Sequence, residues 1–214
     1  ETTCKGISPH ITGQTVSKVI VRQSKLRWPI PARLQSTLPG NTISSVTRRG
    51  KYLLFSSTAG SMIIHLGMSG SLRLLPAAVP AEKHDHVDIV FTNGKALRLR
   101  DPRRFGAVLW TNKSPFEHAL ISSLGPEPLT DEFNTEMLFT RSRKRKRSIK
   151  EFIMDSKIVV GVGNIYASEA LFLATIRPTT AAGRISKARY SQLTDAIKQV
   201  LAKAIRSGGT TLRD

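Results

Sequence analysis

The sequence predicts an α+β fold in two domains, a mostly antiparallel β domain over residues 1–125 and a helical domain over residues 126–214. Two observations carry this. Runs rich in Val, Ile, Leu and Phe, cut by Gly, Pro, Asn and Ser, dominate up to about residue 111, and such punctuated apolar runs are strand patterning. After Pro126 and Pro128 the apolar period changes from two to about 3.6, the helical repeat. The 214 residues, 40% of them hydrophobic, suffice to bury a sizeable core.

Residues 1–12 read as a short helix that Gly13 ends, since glycine tolerates the left-handed conformation of a helix stop. Strands are expected at residues 15–22, 43–55, 62–75, 87–91 and 96–110. The clearest hairpin pairs Val87, Ile89 and Phe91 with Leu97 and Leu99 across Asn93-Gly94. Its apolar positions share one face and leave Arg98 and Arg100 on the other. In the second half Thr130 is placed to cap a helix, with Asp131 and Glu132 in a first turn that favours carboxylates. Ser148 opens a short helix to Asp155, and Val160-Gly161-Val162-Gly163 interrupts it. Asn164 caps the next helix through Ser168, Glu169 and Leu173. Ser186 caps a long amphipathic helix whose apolar positions are Tyr190, Leu193, Ile197, Val200, Leu201, Ala204 and Ile205, stopped by Gly208-Gly209.

With 33 Lys plus Arg against 15 Asp plus Glu the formal charge is +18, which points to a polyanionic partner, nucleic acid first. No apolar run of about 18 residues and no signal segment supports a membrane, so a soluble cytoplasmic protein is expected. Cys4 is the only cysteine, which leaves no intrachain disulfide and reads as an inert small hydrophobe. Glu1 is not the start residue of a translated chain, and Thr210, Thr211, Leu212, Arg213 and Asp214 follow a glycine pair without any terminal cap. The chain therefore reads as a fragment.

Several segments carry chemistry. The acid-free run Arg141, Arg143, Lys144, Arg145, Lys146, Arg147, followed by Lys150, reads as a solvated charged face. Its place before a glycine-rich turn and a helix start also suits a phosphate grip. Asn164 is an ordinary helix cap or a phosphate contact. Residues 101–106 set charges beside Phe105; the plain reading is an Asp-Pro turn with surface arginines. Met68 by itself reads as a gap-filling core methionine. An exposed Met and Phe flanked by Arg would instead suit apolar wedges pushed between base steps. His65, His84 and His86 invite a metal, with His84 and His86 on one face of a strand, but a third ligand is missing nearby and hydrogen bonding suits His84 better. Lys51, ahead of Tyr52-Leu53-Leu54-Phe55, is a snorkelling surface lysine or a group close enough to a catalytic amine to tune it.

In order and spacing these segments resemble the formamidopyrimidine-DNA glycosylases over essentially the whole chain. The pieces are Glu1-Thr2-Thr3, as the end of that family's start motif; Arg48-Arg49-Gly50-Lys51; residues 65–72; Lys83-His84-Asp85-His86; residues 101–106; Gly125-Pro126-Glu127-Pro128; and residues 159–171. Each alone is weak, but seven in collinear order make chance resemblance negligible.

The resemblance implies an N-terminal antiparallel β-sandwich and a C-terminal domain with a helix-two-turn-helix and a zinc finger, acting on damaged double-stranded DNA as a monomer. It implies excision of oxidised purines such as 8-oxoguanine and formamidopyrimidines, then β,δ-elimination. The nucleophile would be an N-terminal proline, followed by an acidic glutamate, both ahead of Glu1. The one structural zinc, with its four cysteines, would lie after Asp214 and has no ligands within these residues. By position Lys51 matches the catalytic lysine, a proton donor in β-elimination. Met68, Arg103 and Phe105 match the trio that fills the gap left by the flipped nucleotide. His84, Arg103, Arg145, Lys150, Asn164 and Tyr166 match DNA contacts. A chain without the proline is expected to fold but not to excise bases. Two alternatives stand: a sister branch acting on oxidised pyrimidines, and a non-catalytic basic nucleic-acid-binding module.

Overall fold

Alternating apolar residues in the first half place one side of each strand in a common core, as the period of two requires. A computed structural model describes residues 1–209, in two compact units, Glu1–Ser122 and Ser123–Asp214. The uncapped tail read at Thr210, Thr211, Leu212, Arg213 and Asp214 lies outside the described residues.

The first unit runs α1 (Thr2–Ile11), β1 (Val16–Val21), α2 (Leu34–Thr37), β2 (Ile43–Arg49), β3 (Tyr52–Ser57), β4 (Gly60–His65), β5 (Ser71–Pro76), β6 (Asp85–Phe91), β7 (Lys95–Arg100), β8 (Ala107–Thr111) and α3 (Ala119–Ser122). Its strands form two antiparallel sheets, ordered β1-β6-β7-β5 and β2-β3-β4-β8. Val19, Ile89 and Leu97 of one sheet and Val46, Phe55 and Trp110 of the other enter one core, with Ile7 and Ile11 of α1. This is the expected β-sandwich.

Three predicted strands are each two strands. Residues 43–55 turn at Gly50, φ +57°, residues 62–75 at Gly67, φ +65°, and residues 96–110 at the Asp101-Pro102 break, where Arg104 sits at φ +55°. The short helices α2 and α3 span four residues each, too few to show a period. The two faces of the 87–99 hairpin also differ from the alternation expected of them. Every residue of β6 is buried, and Arg98 is 3% exposed rather than solvated. Its Nε and a terminal nitrogen hold both oxygens of Asp88 at 2.9 Å, while other N–H groups reach the carbonyls of Val79 and Pro80. Arg22 adds a 2.7 Å bond to the same carboxylate. A buried arginine is tolerable because its donors are used in this way.

The second unit runs α4 (Thr135–Ser142), α5 (Ile149–Met154), α6 (Asn164–Leu173) and α7 (Lys187–Arg206). Thr130 does not cap α4: its hydroxyl donates to the Glu127 carbonyl in a turn, and Asn134, in extended backbone, accepts from the Met137 N–H at 2.9 Å instead. Ser148 and Glu151 form a reciprocal capping box on α5. The cap of α6 is Gly163, so Asn164 is the first helical residue rather than the cap. Phe133, Phe152, Leu171, Tyr190 and Leu193 fill this unit's own core, whereas Ala204 and Ile205 near the end of α7 are only half-buried. Among the described residues no helix is long and apolar enough to cross a membrane.

Candidate nucleic-acid interface

Lys51 sits in the turn between β2 and β3, not within a strand. Gly50 makes that turn, and Arg48 braces it by donating to the Gly50 carbonyl at 2.9 Å and to Glu1 Oε2 at 2.7 Å. Glu1 thereby ties the start of α1 to the Lys51 turn, and the Arg48 bond holds its carboxyl below the usual range. Lys51 is exposed as a residue, yet the protein around it desolvates the ammonium and holds its pKa below the usual 10.5. Its neighbour Tyr52 packs on His65, ring centroids 4.9 Å apart. Burial, then the charges of Lys51 and Arg27, lower the His65 pKa. His65 Nδ1 accepts from the Gly67 N–H at 3.0 Å, a bond the neutral ring can make.

Beyond His65 the chain enters the Met68 loop, which lies against the loop of residues 101–106. A Cβ at Gly67 would stand 2.6 Å from the Phe105 carbonyl carbon, and one at Gly106 2.7 Å from the His65 carbonyl oxygen, so the two backbones approach only because both are glycine. Asp101, 0% exposed, locks them together. Its Oδ1 accepts from Ser69 Oγ at 2.7 Å and its Oδ2 from the Gly106 N–H at 2.8 Å. Ser69 Oγ accepts in turn from the Arg103 N–H. On this base Met68 is 72% exposed and Phe105 45% exposed, and the Arg103 guanidinium lies 4.7 Å from the Phe105 ring centroid. Met68 is therefore not a core methionine. Two apolar side chains and a cation stand out together on backbone that Asp101 and Ser69 cross-brace.

His84 belongs to the same assembly. It is not on a strand: at φ +77° it makes a turn before β6, and its carbonyl accepts from the Asp101 N–H. His86 is buried and its Nε2 donates to the Asp101 carbonyl at 2.9 Å. Among the described residues no three His, Cys, Asp or Glu side chains converge on a metal position. Cys4 is buried, and desolvation raises its thiol pKa.

In the second unit the two-turn connection from α5 to α6 is backed by Gly125, whose N–H donates to the Ser156 carbonyl and whose Cβ, if present, would lie 2.6 Å from the Lys157 carbonyl oxygen. Gly161, φ +82°, sets the second turn. Lys150 is half-buried on α5, while Asn164 is exposed and Tyr166 half-buried in the first turn of α6. The basic run is not one solvated face. Arg143 lies 4.0 Å from the Phe139 ring and donates to the carbonyls of Gly183 and Ile185. Arg147 pairs with Asp155 at 2.8 Å and packs on Phe152, and Arg141 donates to the Lys157 carbonyl. Lys144, Arg145 and Lys146 are exposed.

Residues 1–108 match the formamidopyrimidine-DNA glycosylase N-terminal domain, and residues 124–214 match the formamidopyrimidine-DNA glycosylase H2TH domain. The chain belongs to the formamidopyrimidine-DNA glycosylase family. It is 58% identical to the formamidopyrimidine-DNA glycosylase of Syntrophotalea carbinolica over 214 residues, 100% of this chain and 79% of that protein. Against the formamidopyrimidine-DNA glycosylase of Pseudomonas aeruginosa it is 59% identical with the same coverage. The Lactococcus lactis formamidopyrimidine-DNA glycosylase solved non-covalently bound to DNA containing an AP site has a TM-score of 0.91 at 31% identity, covering 98% of this chain and 81% of that one. The same enzyme with DNA containing FAPY-dG gives 0.91 at 31% identity, covering 99% and 80%.

Within the glycosylase N-terminal domain the structure brings Met68, Arg103, Phe105 and His84 around Asp101, and sets Lys51 beside Tyr52 and His65. Within the H2TH domain it sets Lys150, Asn164 and Tyr166 on the two helices of the motif and Arg145 on the loop before α5. Sequence reading assigned no role to Asp101, Ser69 or Arg27. Asp101 looked like a turn former before Pro102. Arg27, whose N–H donates to the Gly106 carbonyl, follows no periodic signal.

Proposed function

We propose that the full-length protein of which this chain is most carries out base excision on damaged duplex DNA, removing oxidised purines such as 8-oxoguanine and formamidopyrimidines and then cleaving the abasic strand by β,δ-elimination. Residues 1–125 serve as the catalytic sandwich and residues 126–214 as the DNA-binding domain, in a monomer working on the bacterial nucleoid in the cytoplasm. The observation that carries this reading is the exposed trio Met68, Arg103 and Phe105 on the backbone that Asp101 locks.

Excision at a sugar carbon inside a stacked duplex requires the nucleotide to be extruded, at a cost of a few kcal/mol of stacking and pairing. Met68 and Phe105 fill the vacated space with apolar surface, and Arg103 offers donors to the bases left behind. Rigid backbone matters because the wedge must not fold back when it meets the stack. His84, Arg145, Lys150, Asn164 and Tyr166 hold phosphates and fix the register.

Lys51 supplies the proton. A desolvated ammonium with a lowered pKa is a stronger acid than an ordinary lysine and donates more readily to a departing oxygen. The attacking secondary amine belongs to the start motif ahead of Glu1, and the bond from Glu1 to Arg48 brings the start of α1 to the Lys51 turn. The structural zinc has no ligand set among the described residues, and no step here calls on it.

The test is borohydride trapping of the full-length protein on an 8-oxoguanine duplex, beside an oxidised-pyrimidine duplex. A trapped complex formed preferentially with 8-oxoguanine, with elimination slowed when Lys51→Met is introduced, is the expected result. Preference for the pyrimidine lesion would assign the sister branch. Tight binding without trapping would make the chain a non-catalytic DNA-binding module.

A further inference from the structure

Residues 77–84 join β5 to β6 and end at His84, yet apolar packing does not hold them down. None of them belongs to the sandwich core, residues 78–83 are exposed, and Val79 is 42% exposed. Polar bonds fasten the segment instead, and they converge on one buried side chain. Arg98 of β7, 3% exposed, donates to the Val79 carbonyl at 2.9 Å and to the Pro80 carbonyl at 3.0 Å. Its Nη1 also lies 3.5 Å from Asp85 Oδ2, the same oxygen that accepts the Glu82 N–H at 2.9 Å. Arg100 carries the tie outward, 2.8 Å from Glu82 Oε2 and 3.7 Å from Asp85 Oδ1.

His84 stands at the end of this tether in a costly conformation. At φ +77° it lies in the left-handed region, which a residue with a Cβ keeps only where its surroundings over-determine it. Here they do so from both sides. Before His84, Glu82 is fixed by the Asp85 carboxylate, and the Asp85 N–H donates back to the Glu82 carbonyl at 3.1 Å. After it, the His84 carbonyl accepts from the Asp101 N–H at 3.0 Å, and His86, bonded to the Asp101 carbonyl, meets the His84 ring edge-on with centroids 6.3 Å apart. The buried side chain has to be arginine. Its fork grips both oxygens of Asp88 and two carbonyls of the segment at once, and the single ammonium of a lysine cannot span them.

We propose that Arg98, with Asp85 and the Arg100–Glu82 pair, is a positioning network for His84, one that fastens residues 79–82 so that the ring stays set to meet DNA. Arg98 itself is buried and sets affinity without touching the duplex. The inference rests on the proposed action on duplex DNA, in which His84 holds a phosphate. A phosphate contact carries no lesion information, so the network's effect falls alike on damaged and undamaged duplexes.

The test measures binding by the full-length protein carrying R98K, H84A or both, with K150Q as a separate control, below the melting temperature of each variant. The probes are an undamaged duplex and one with a tetrahydrofuran abasic analogue. H84A should weaken both by about tenfold or more, as the loss of a hydrogen bond to a charged group does. R98K should weaken both as well, and adding it to H84A should change affinity by no more than about twofold, because its effect runs through the ring already removed. Losses that multiply would make Arg98 an independent support of the sandwich and overturn the inference. So would an unchanged affinity in folded R98K, or a loss confined to the abasic duplex. In the free protein R98K should shift the His84 ring-proton NMR signal and leave that of His65 in place; an unmoved His84 signal overturns the inference too. Should R98K melt below the assay temperature, E82Q, at a side chain 73% exposed, replaces it in the same cycle. Its smaller loss should vanish in the H84A background, and no loss, or one that multiplies, counts against the network. If H84A leaves both duplexes unchanged while K150Q weakens them, the positioning role falls and the DNA reading stands; if neither weakens binding, both fall.

Discussion

Asp101 is fully buried and both its carboxylate oxygens are occupied, one by the Ser69 hydroxyl and one by the Gly106 N–H. Asp101→Ala leaves the buried Gly106 N–H and the half-buried Ser69 hydroxyl without this acceptor, which costs about 1–3 kcal/mol. Its effect on binding should be selective: affinity for a lesion duplex should fall well beyond any loss on undamaged DNA, because the Met68 and Phe105 loops come apart while the phosphate contacts remain. Asp101→Asn, which keeps the shape and one acceptor, should lose less on both counts. Equal losses on the two duplexes would make Asp101 a stability residue alone. At the other end of the loop, His65 is neutral at physiological pH because burial and then Lys51 and Arg27 disfavour its charge. Lys51→Met removes one of those cations, so the His65 pKa, read from its ring-proton NMR titration, should rise toward 6.5. With the folded pKa depressed, the stability His65 contributes is present above about pH 6.5 and is lost as pH falls through the folded value. The variant should narrow that loss.

At the scale of elements, glycines decide how closely segments approach. Gly125 is the clearest: its Cβ would lie 2.6 Å from the Lys157 carbonyl oxygen and 2.7 Å from the Ile158 carbonyl carbon, so Gly125→Ala must push the two-turn loop off its backing segment. A loss of about 1–3 kcal/mol is expected, seen as an earlier melting transition, with weaker DNA binding through Lys150 and Tyr166. Such close approaches explain what was legible in the sequence. The capping box at Ser148, the Asn93-Gly94 hairpin and the long helix from Ser186 are local devices, written in neighbouring residues, and all three form where their residues stand. The turns inside residues 43–55 and 62–75 were hidden because the apolar stretches on either side of Gly50, and of Gly67 and Gly70, read as one run. Arg98 read as solvated because alternation sees one face; its partner Asp88 pairs with it across two strands and removes the other face from water. The candidate site was legible only as motifs, Met68, Arg103 and Phe105 among them, which the structure brings together. The carboxylate that joins them was not, since its bonds span 32 and 5 residues. In the basic run, composition could not tell Arg143, bound to its own domain, from Lys144.

The whole molecule has two cores that share no residue in a chain of net charge +18, and acid should act on the sandwich through one buried network. Burial alone would raise the Asp88 pKa, but Arg98 and Arg22 outweigh it and hold it below 3.8. A depressed folded pKa gives stability that is present above the unfolded value and lost as pH falls through the folded one. The Asp88 contribution should therefore hold down to about pH 4 and vanish in stronger acid, and Asp88→Ala, which leaves Arg98 with Asp85 at 3.5 Å and two carbonyls but without its bidentate partner, should cost about 2–4 kcal/mol at neutral pH. Urea unfolding at several pH values reads both, and a variant as stable as the parent would show that the network adds nothing. Peroxide poses a different demand, because the conditions that oxidise guanine also oxidise sulfur. Cys4 and Met62 are buried, and the Cys4 thiol is held protonated and so unreactive. Met68, by contrast, offers its thioether openly to solvent. One oxygen transferred from peroxide would turn this apolar side chain into a polar sulfoxide, releasing water, and a sulfoxide reductase would restore it. Mild peroxide should therefore mark the Met68 peptide before the Met62 peptide in a mass spectrum and weaken lesion binding reversibly, so that a repair protein's grip on oxidised bases would itself report how oxidised its surroundings are.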